Sequence, residues 1–166
     1  MSTYIKIATV TVPLITGATS MDFTSIPTTY TDLVIKVSGR SNRIDVVDTI
    51  VLKPNGSTSS MTFKWLAGDG SAASSGSTDR IYQDAANNTA STFGSAEIYC
   101  PNYAGSTNKS FSIDAVSEQN GTAANAGFQA QLWSVTTAIS SISLAVGFGT
   151  AWAQYSSATL YGIKNS

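Results

Sequence analysis

The chemistry available to this chain is limited first by what it lacks. It has no His, so the commonest general acid/base, the usual triad base and the commonest metal ligand are all missing. One Cys cannot make an intrachain disulfide or a four-thiolate zinc site. That Cys100 ends the apolar run Ile98-Tyr99-Cys100 with no Lys or Arg beside it, which reads as a small buried hydrophobe. Acid–base work would fall to the ten Asp and Glu residues. Asp45 with Asp48, or Asp79 with Asp84, are spaced as a glycosidase-like carboxylate pair would allow; solvated loop acids are the plainer reading. Asp69 in Gly68-Asp69-Gly70-Ser71, with Asp79 beyond it, offers oxygen ligands for calcium, but the DxDxDG spacing is absent, and a simple turn explains the motif. The expectation is a chain with no catalytic residue, no metal and no cofactor.

Binding chemistry has more candidates. Trp65, Tyr82, Tyr103, Trp152 and Tyr155 could stack on sugars or on a partner protein. Trp65 sits in an alternating strand and is expected in the core. Trp152-Ala153-Gln154-Tyr155 reads as a loop, so Trp152 and Tyr155 are the candidate interface or ligand contacts. Lys36, Arg40 and Arg43 form the densest cationic group, diluted by Asp32, Asp45 and Asp48. Arg40 and Arg43 are candidate contacts to an acidic neighbour; a solvated strand end is the alternative. A net charge of −1 argues against a nucleic-acid partner. No run reaches the length of a membrane span, and Met1-Ser2-Thr3-Tyr4-Ile5-Lys6 lacks the pattern of a signal peptide. Folding in a cytoplasm is therefore expected. The Asn-X-Ser/Thr sequons, such as Asn55-Gly56-Ser57 and Asn120-Gly121-Thr122, are discounted on the same ground.

The elements that must position these residues are strands. Only 11% of the chain is charged, against about 25% in an ordinary domain, and Ser and Thr fill the deficit, as suits exposed strand faces and loops. Period-two alternation recurs along the whole chain. It predicts strands over 3–12, 18–23, 32–40, 49–53, 61–66, 96–100, 109–118, 128–133, 141–149 and 157–163. The apolar parity changes between Ile7 and Val10, which predicts a bulge. Gly68 to Thr78 is small and polar and is expected as an exposed loop. Residues 81–93 read as a helical turn or irregular chain, and Asn120-Gly121 as a turn. About nine or ten short strands with no helical period predict an all-β, antiparallel two-sheet sandwich, jelly-roll-like, in one domain over 1–166. Alternation cannot distinguish this strand order from an immunoglobulin-like one.

The C-terminal Ser157-Ala158-Thr159-Leu160-Tyr161-Gly162-Ile163-Lys164 resembles the ending of small bacteriophage virion proteins and fibre-end domains. Met21-Asp22-Phe23, then Ile26-Pro27, Tyr30 and Leu33 look like that group's approach to its next strand, and Arg40 and Arg43 fall where such proteins tend to carry arginines. Tyr99-Cys100-Pro101-Asn102-Tyr103, Trp133 and Ala138-Ile139-Ser140-Ser141-Ile142-Ser143-Leu144 are further matches. The resemblance implies a phage structural protein with a β-sandwich fold. From it comes the expectation of a capsid decoration or cement subunit, trimeric, bound to the major capsid protein or other virion proteins and assembled in the host cytoplasm. A tail-fibre or receptor-binding module recognising host glycan is the alternative. Its first strand is expected almost at Met1, with no shaft segment before it, which leans toward decoration.

Overall fold

The computed structural model describes residues 3–13, 17–118 and 124–164. Their regular structure is all strand: β1 Thr3–Thr11, β2 Ser20–Phe23, β3 Asp32–Gly39, β4 Val47–Pro54, β5 Met61–Gly68, β6 Ala73–Gly76, β7 Ile81–Asp84, β8 Gly94–Pro101, β9 Lys109–Ser117, β10 Asn125–Trp133, β11 Ile142–Val146 and β12 Ser157–Lys164. They form an eight-stranded sheet, β1-β12-β3-β8-β9-β10-β5-β6, and a four-stranded sheet, β2-β11-β4-β7. Every pairing is antiparallel.

The order has a simple origin. β1 pairs β12, β2 pairs β11, β3 pairs β8 and β4 pairs β7. These nested pairs are one long antiparallel ribbon. Wrapping the ribbon brings β12 against β3 and β11 against β4, which gives an eight-stranded jelly roll. β5–β6 is inserted between β4 and β7, and β9–β10 between β8 and β11. β9 pairs β8, and β10 pairs both β9 and β5, so the two insertions join and widen one sheet well beyond the ribbon.

Alternation places the core between the sheets. Leu33, Ile35, Val37, Ile98, Phe111, Ile113 and Leu160 face Met21, Phe23, Ile50, Leu52, Ile81, Ile142 and Leu144, all buried. Cys100 is buried among them, and loss of hydration pushes its thiol up to about 12, as expected for an inert thiol. The predicted bulge in β1 is present: its register against β12 shifts between Lys6 and Ala8.

Two strands escaped the sequence pattern. The Gly68–Thr78 stretch is not wholly loop. Its centre is β6, an exposed edge strand paired with β5 from Trp65↔Gly76 to Gly68↔Ala73. Ser, Ala and Gly carry no apolar alternation there, and the backbone ladder alone defines the strand. β7 is buried on both sides, with Ile81, Gln83 and Asp84 fully covered and Tyr82 nearly so, so alternation is absent for the opposite reason. Residues 85–93 form turns without a helix. The Asn120-Gly121 turn lies outside the described residues.

Gly162 in β12 shows why the C-terminal motif needs a glycine. Tyr30 lays its ring over the backbone there, and a Cβ at position 162 would fall within the ring's carbon atoms. Gly162→Ala is therefore expected to destabilise the fold by about 1–3 kcal/mol through overpacking. In a Tyr30→Ala background most of that loss should disappear. Urea unfolding of the four-member cycle checks this, and an undiminished loss would mean Tyr30 is not the cause.

Candidate functional site

The four candidate contact residues have different fates. Trp152 is a core residue, 1% exposed. Its Nε1–H donates to the Leu144 carbonyl (3.1 Å) and its backbone N–H to Ala18 (2.8 Å). Gly39 makes room for it: a Cβ there would lie 2.8 Å from Trp152 Cζ3. The expectation of a surface contact at Trp152 is thus corrected. The loop folds inward because the indole fills the sandwich end where β3 leaves the large sheet. Tyr155 remains on the surface, 66% exposed, at φ 69°, a left-handed conformation that costs a bulky residue about 1–3 kcal/mol.

Arg40 is a fastener, and its expected role as a partner contact is corrected. Its Nη1 donates to the carbonyls of Thr89 (2.8 Å) and Thr92 (2.9 Å), and its Nη2 to those of Ala86 (3.0 Å) and Asn88 (3.1 Å). A guanidinium fork bonded to four carbonyls organises the β7–β8 loop and has little left for a partner. Arg43 stays at the surface. It pairs with Asp45 (2.8 Å), donates to the Val47 carbonyl (2.9 Å), and stacks 4.5 Å from the centre of the Phe148 ring.

The two proposed carboxylate pairs do not form as such. Asp48 is fully buried and accepts from the N–H groups of Thr49 (2.7 Å), Phe148 (3.0 Å) and Gly149 (3.0 Å). It pins the β11–β12 loop. Asp84 is fully buried and accepts from the Ser117 hydroxyl (2.8 Å). Asp69 accepts from Ser71 N, Ser71 Oγ and Ala72 N at 2.8–2.9 Å. Those bonds, the Ala72 N–H first, hold its carboxyl at about 2; it organises a turn. Among the described residues no group of three His, Cys, Asp or Glu side chains is placed to hold a metal. Of the candidate aromatics, Tyr103 is buried and donates its hydroxyl to the Pro27 carbonyl. Lys109, the one buried cation among the described residues, donates to the carbonyls of Thr107 and Thr136, and desolvation lowers its pKa.

What the fold brings together instead is one acid from each pair. Asp45 and Asp79 line a cleft of about 470 Å³ with Arg43, Arg80, Tyr82 and Phe148. Arg80 lies 4.4 Å over the Trp65 ring and 6.0 Å from Tyr82. Trp65 is accordingly a half-buried wall of this flank, short of the core burial its alternation suggested. Asp79 accepts from the amides of Gln129 (2.8 Å) and Gln131 (2.9 Å), two glutamines buried on the inner face of β10. Burial pushes its carboxyl up to about 6, against the opposing pull of Gln129. Arg80 and its cleft were not legible in the sequence, because β7 carries no alternating pattern to orient its neighbours.

A second surface lies on the outer face of the widened sheet. The registers define one row running across all eight strands: Ser75, Leu66, Phe128, Asp114, Glu97, Lys36, Thr159 and Thr9. The ribbon end of this row is polar, with Lys36 paired to Glu97 at 2.7 Å. The insertion end is apolar: Leu66 (57%), Phe128 (49%), Val116 and Leu132 are all exposed. Leu66, Phe128 and Val116 wall a hollow of about 440 Å³ floored by Gly68, Ala73 and Ala126.

No family model matches the chain, and comparison with curated proteins and with solved structures gives no match.

Asp79 makes stability depend on pH with a definite sign. Its pKa rises from 3.8 to about 6 on folding, so the folded chain holds that proton more tightly than the unfolded one. The ionised carboxylate costs stability above pH 6, and the cost is relieved as pH falls toward 4. Asp79→Asn is expected to remove about 1–3 kcal/mol of stability loss between those limits. Urea unfolding at stepped pH reads it; an unchanged slope in the variant would rule out Asp79 as the source.

Proposed function

We propose that this chain is a non-enzymatic structural subunit of a bacteriophage particle, a trimeric decoration or cement protein on the outside of the head. The observation that carries the reading is the exposed apolar surface on β5, β9 and β10. The wrapped ribbon is already a complete jelly roll, and the inserted strands widen one sheet to display Leu66, Phe128, Val116 and Leu132 to solvent. Contiguous apolar surface of this kind marks sites of protein association. The polar side chains support the same reading. Arg40, Asp48 and Asp69 fasten backbone and loops, as in a rigid building block. Jelly rolls recur in viral capsid domains, which is an analogy of fold alone. The partners under this reading are the major capsid protein or other virion proteins, with neither nucleic acid nor membrane involved. A subunit that binds only the assembled shell stabilises it by mass action.

Gold-labelled antibody against the recombinant chain, applied to intact particles, should label the whole head. Shells stripped of the protein should break at lower temperature on heating and recover when it is added back. Equal stability with and without it would overturn the cement role.

The cleft favours one other reading, a receptor-binding module for host glycan. Arginines stacked on Phe148 and Trp65, flanked by Asp45, Asp79 and Tyr82, offer ring faces and hydrogen-bonding groups together. That reading expects label confined to the tail. It also expects saccharide binding on a glycan array that weakens at least tenfold with Tyr82→Ala; a folded wild-type chain that binds no saccharide would remove it.

A further inference from the structure

The apolar hollow on the outer sheet has a counterpart on the same chain. Ile44 and Phe148 are the two most exposed large apolar residues described, at 88% and 70%. They sit on two neighbouring loops, β3–β4 and β11–β12, joined where Arg43 stacks on Phe148. This tip is held firmly. Asn42 Oδ1 accepts from Thr150 N (2.9 Å) and Ala151 N (3.0 Å), while its Nδ2 donates to Thr150 Oγ1 (2.8 Å). Asp48 grips the N–H groups of Phe148 and Gly149 from beneath. An apolar knob already fixed in place loses little entropy when it docks.

The charges around knob and hollow are also complementary. At the knob, Arg43 is paired with Asp45, and Asp79 is turned to the buried glutamine amides. Arg80 is left as the exposed charge, held over Trp65. The hollow is bordered by acids: Asp114 lies on its wall, and Asp69 and Glu118 line the depression that continues from it past Gly68 and Val116. Lys64 stands one row away, beside Ala130. A cation-bearing apolar knob and an acid-rimmed apolar hollow fit each other across two molecules.

We propose that the occupant of the hollow is a second copy of this chain, which inserts Phe148 and Ile44 between Leu66, Val116 and Phe128 and sets Arg80 toward the acidic rim. The contact is heterologous: each copy offers a knob to one neighbour and a hollow to the other, and repetition closes a ring of three where each contact turns the next copy by a third of a revolution. This deepens the structural-subunit reading and rests on it for the number three. It is tested on the isolated protein, so its failure is separate from failure of the particle assignment.

The test uses two variants, Phe128→Asp in the hollow and Phe148→Asp on the knob. Both sites are exposed, and circular dichroism and thermal melting confirm that each variant folds. Wild-type protein is expected as a trimer by native mass spectrometry at micromolar concentration, and each variant alone as a monomer. Mixed one to one, the variants should form a heterodimer and nothing larger, because the intact knob of Phe128→Asp meets the intact hollow of Phe148→Asp. Arg80→Glu should weaken assembly at least tenfold. A monomeric wild type would overturn the proposal. So would an oligomer that survives both substitutions, mixed variants that stay monomeric, or Phe148→Asp still dimeric on its own, the last of which would indicate hollow meeting hollow across a twofold axis.

Discussion

A strand must find partners for its backbone N–H and C=O groups, and in this chain the partners are set by nesting. β1 to β4 run out and β7, β8, β11 and β12 run back along them, so each early strand meets its late partner in reverse order. Once the ribbon is wrapped, both sheets, the core between them and the position of every loop follow. The insertions β5–β6 and β9–β10 are tolerated because each is locally paired: β9 adds to the β8 edge left free by the ribbon, and β5 adds to β10. They also create the surface on which the functional reading depends.

Polar residues hold this arrangement at its ends. A chain with few charges places several of them against backbone: Arg40 on four carbonyls, Asp48 on three N–H groups, Lys109 on two carbonyls. Charge-assisted bonds to backbone are stronger than neutral ones, and leaving such a group unpaired inside the protein is costly. These residues therefore specify loop geometry. Asp48, with Asn42, also presents the Ile44 and Phe148 tip rigidly to solvent, so there the stability of the fold and the proposed association share bonds.

Much of this was legible from alternation. Ten of the twelve strands, the β1 bulge and the buried Cys100 all follow from residue type and spacing. β6 was not, since a Ser/Ala/Gly edge strand is defined only by its ladder with β5. β7 was not, since burial on both faces erases the period of two. The site was less legible still. Arg43 and Tyr155 lie at the surface as expected, but Trp152 and Arg40 lie inward, because a loop sequence says nothing about which way the loop folds.

The sequence by itself determined an all-β chain without histidine, with too few thiols for a disulfide and with its apolar residues set for two facing sheets. Those are consequences of side-chain chemistry and of a period fixed by the backbone. Only the tertiary structure decided which strands pair, and hence that Asp45 and Asp79 share a cleft while Asp48 and Asp84 are buried. It alone set Leu66, Val116 and Phe128, from three separate strands, on one exposed face. Alternation assigns each residue to a side of its own strand; which strands lie adjacent depends on long-range pairing, and local sequence does not encode it.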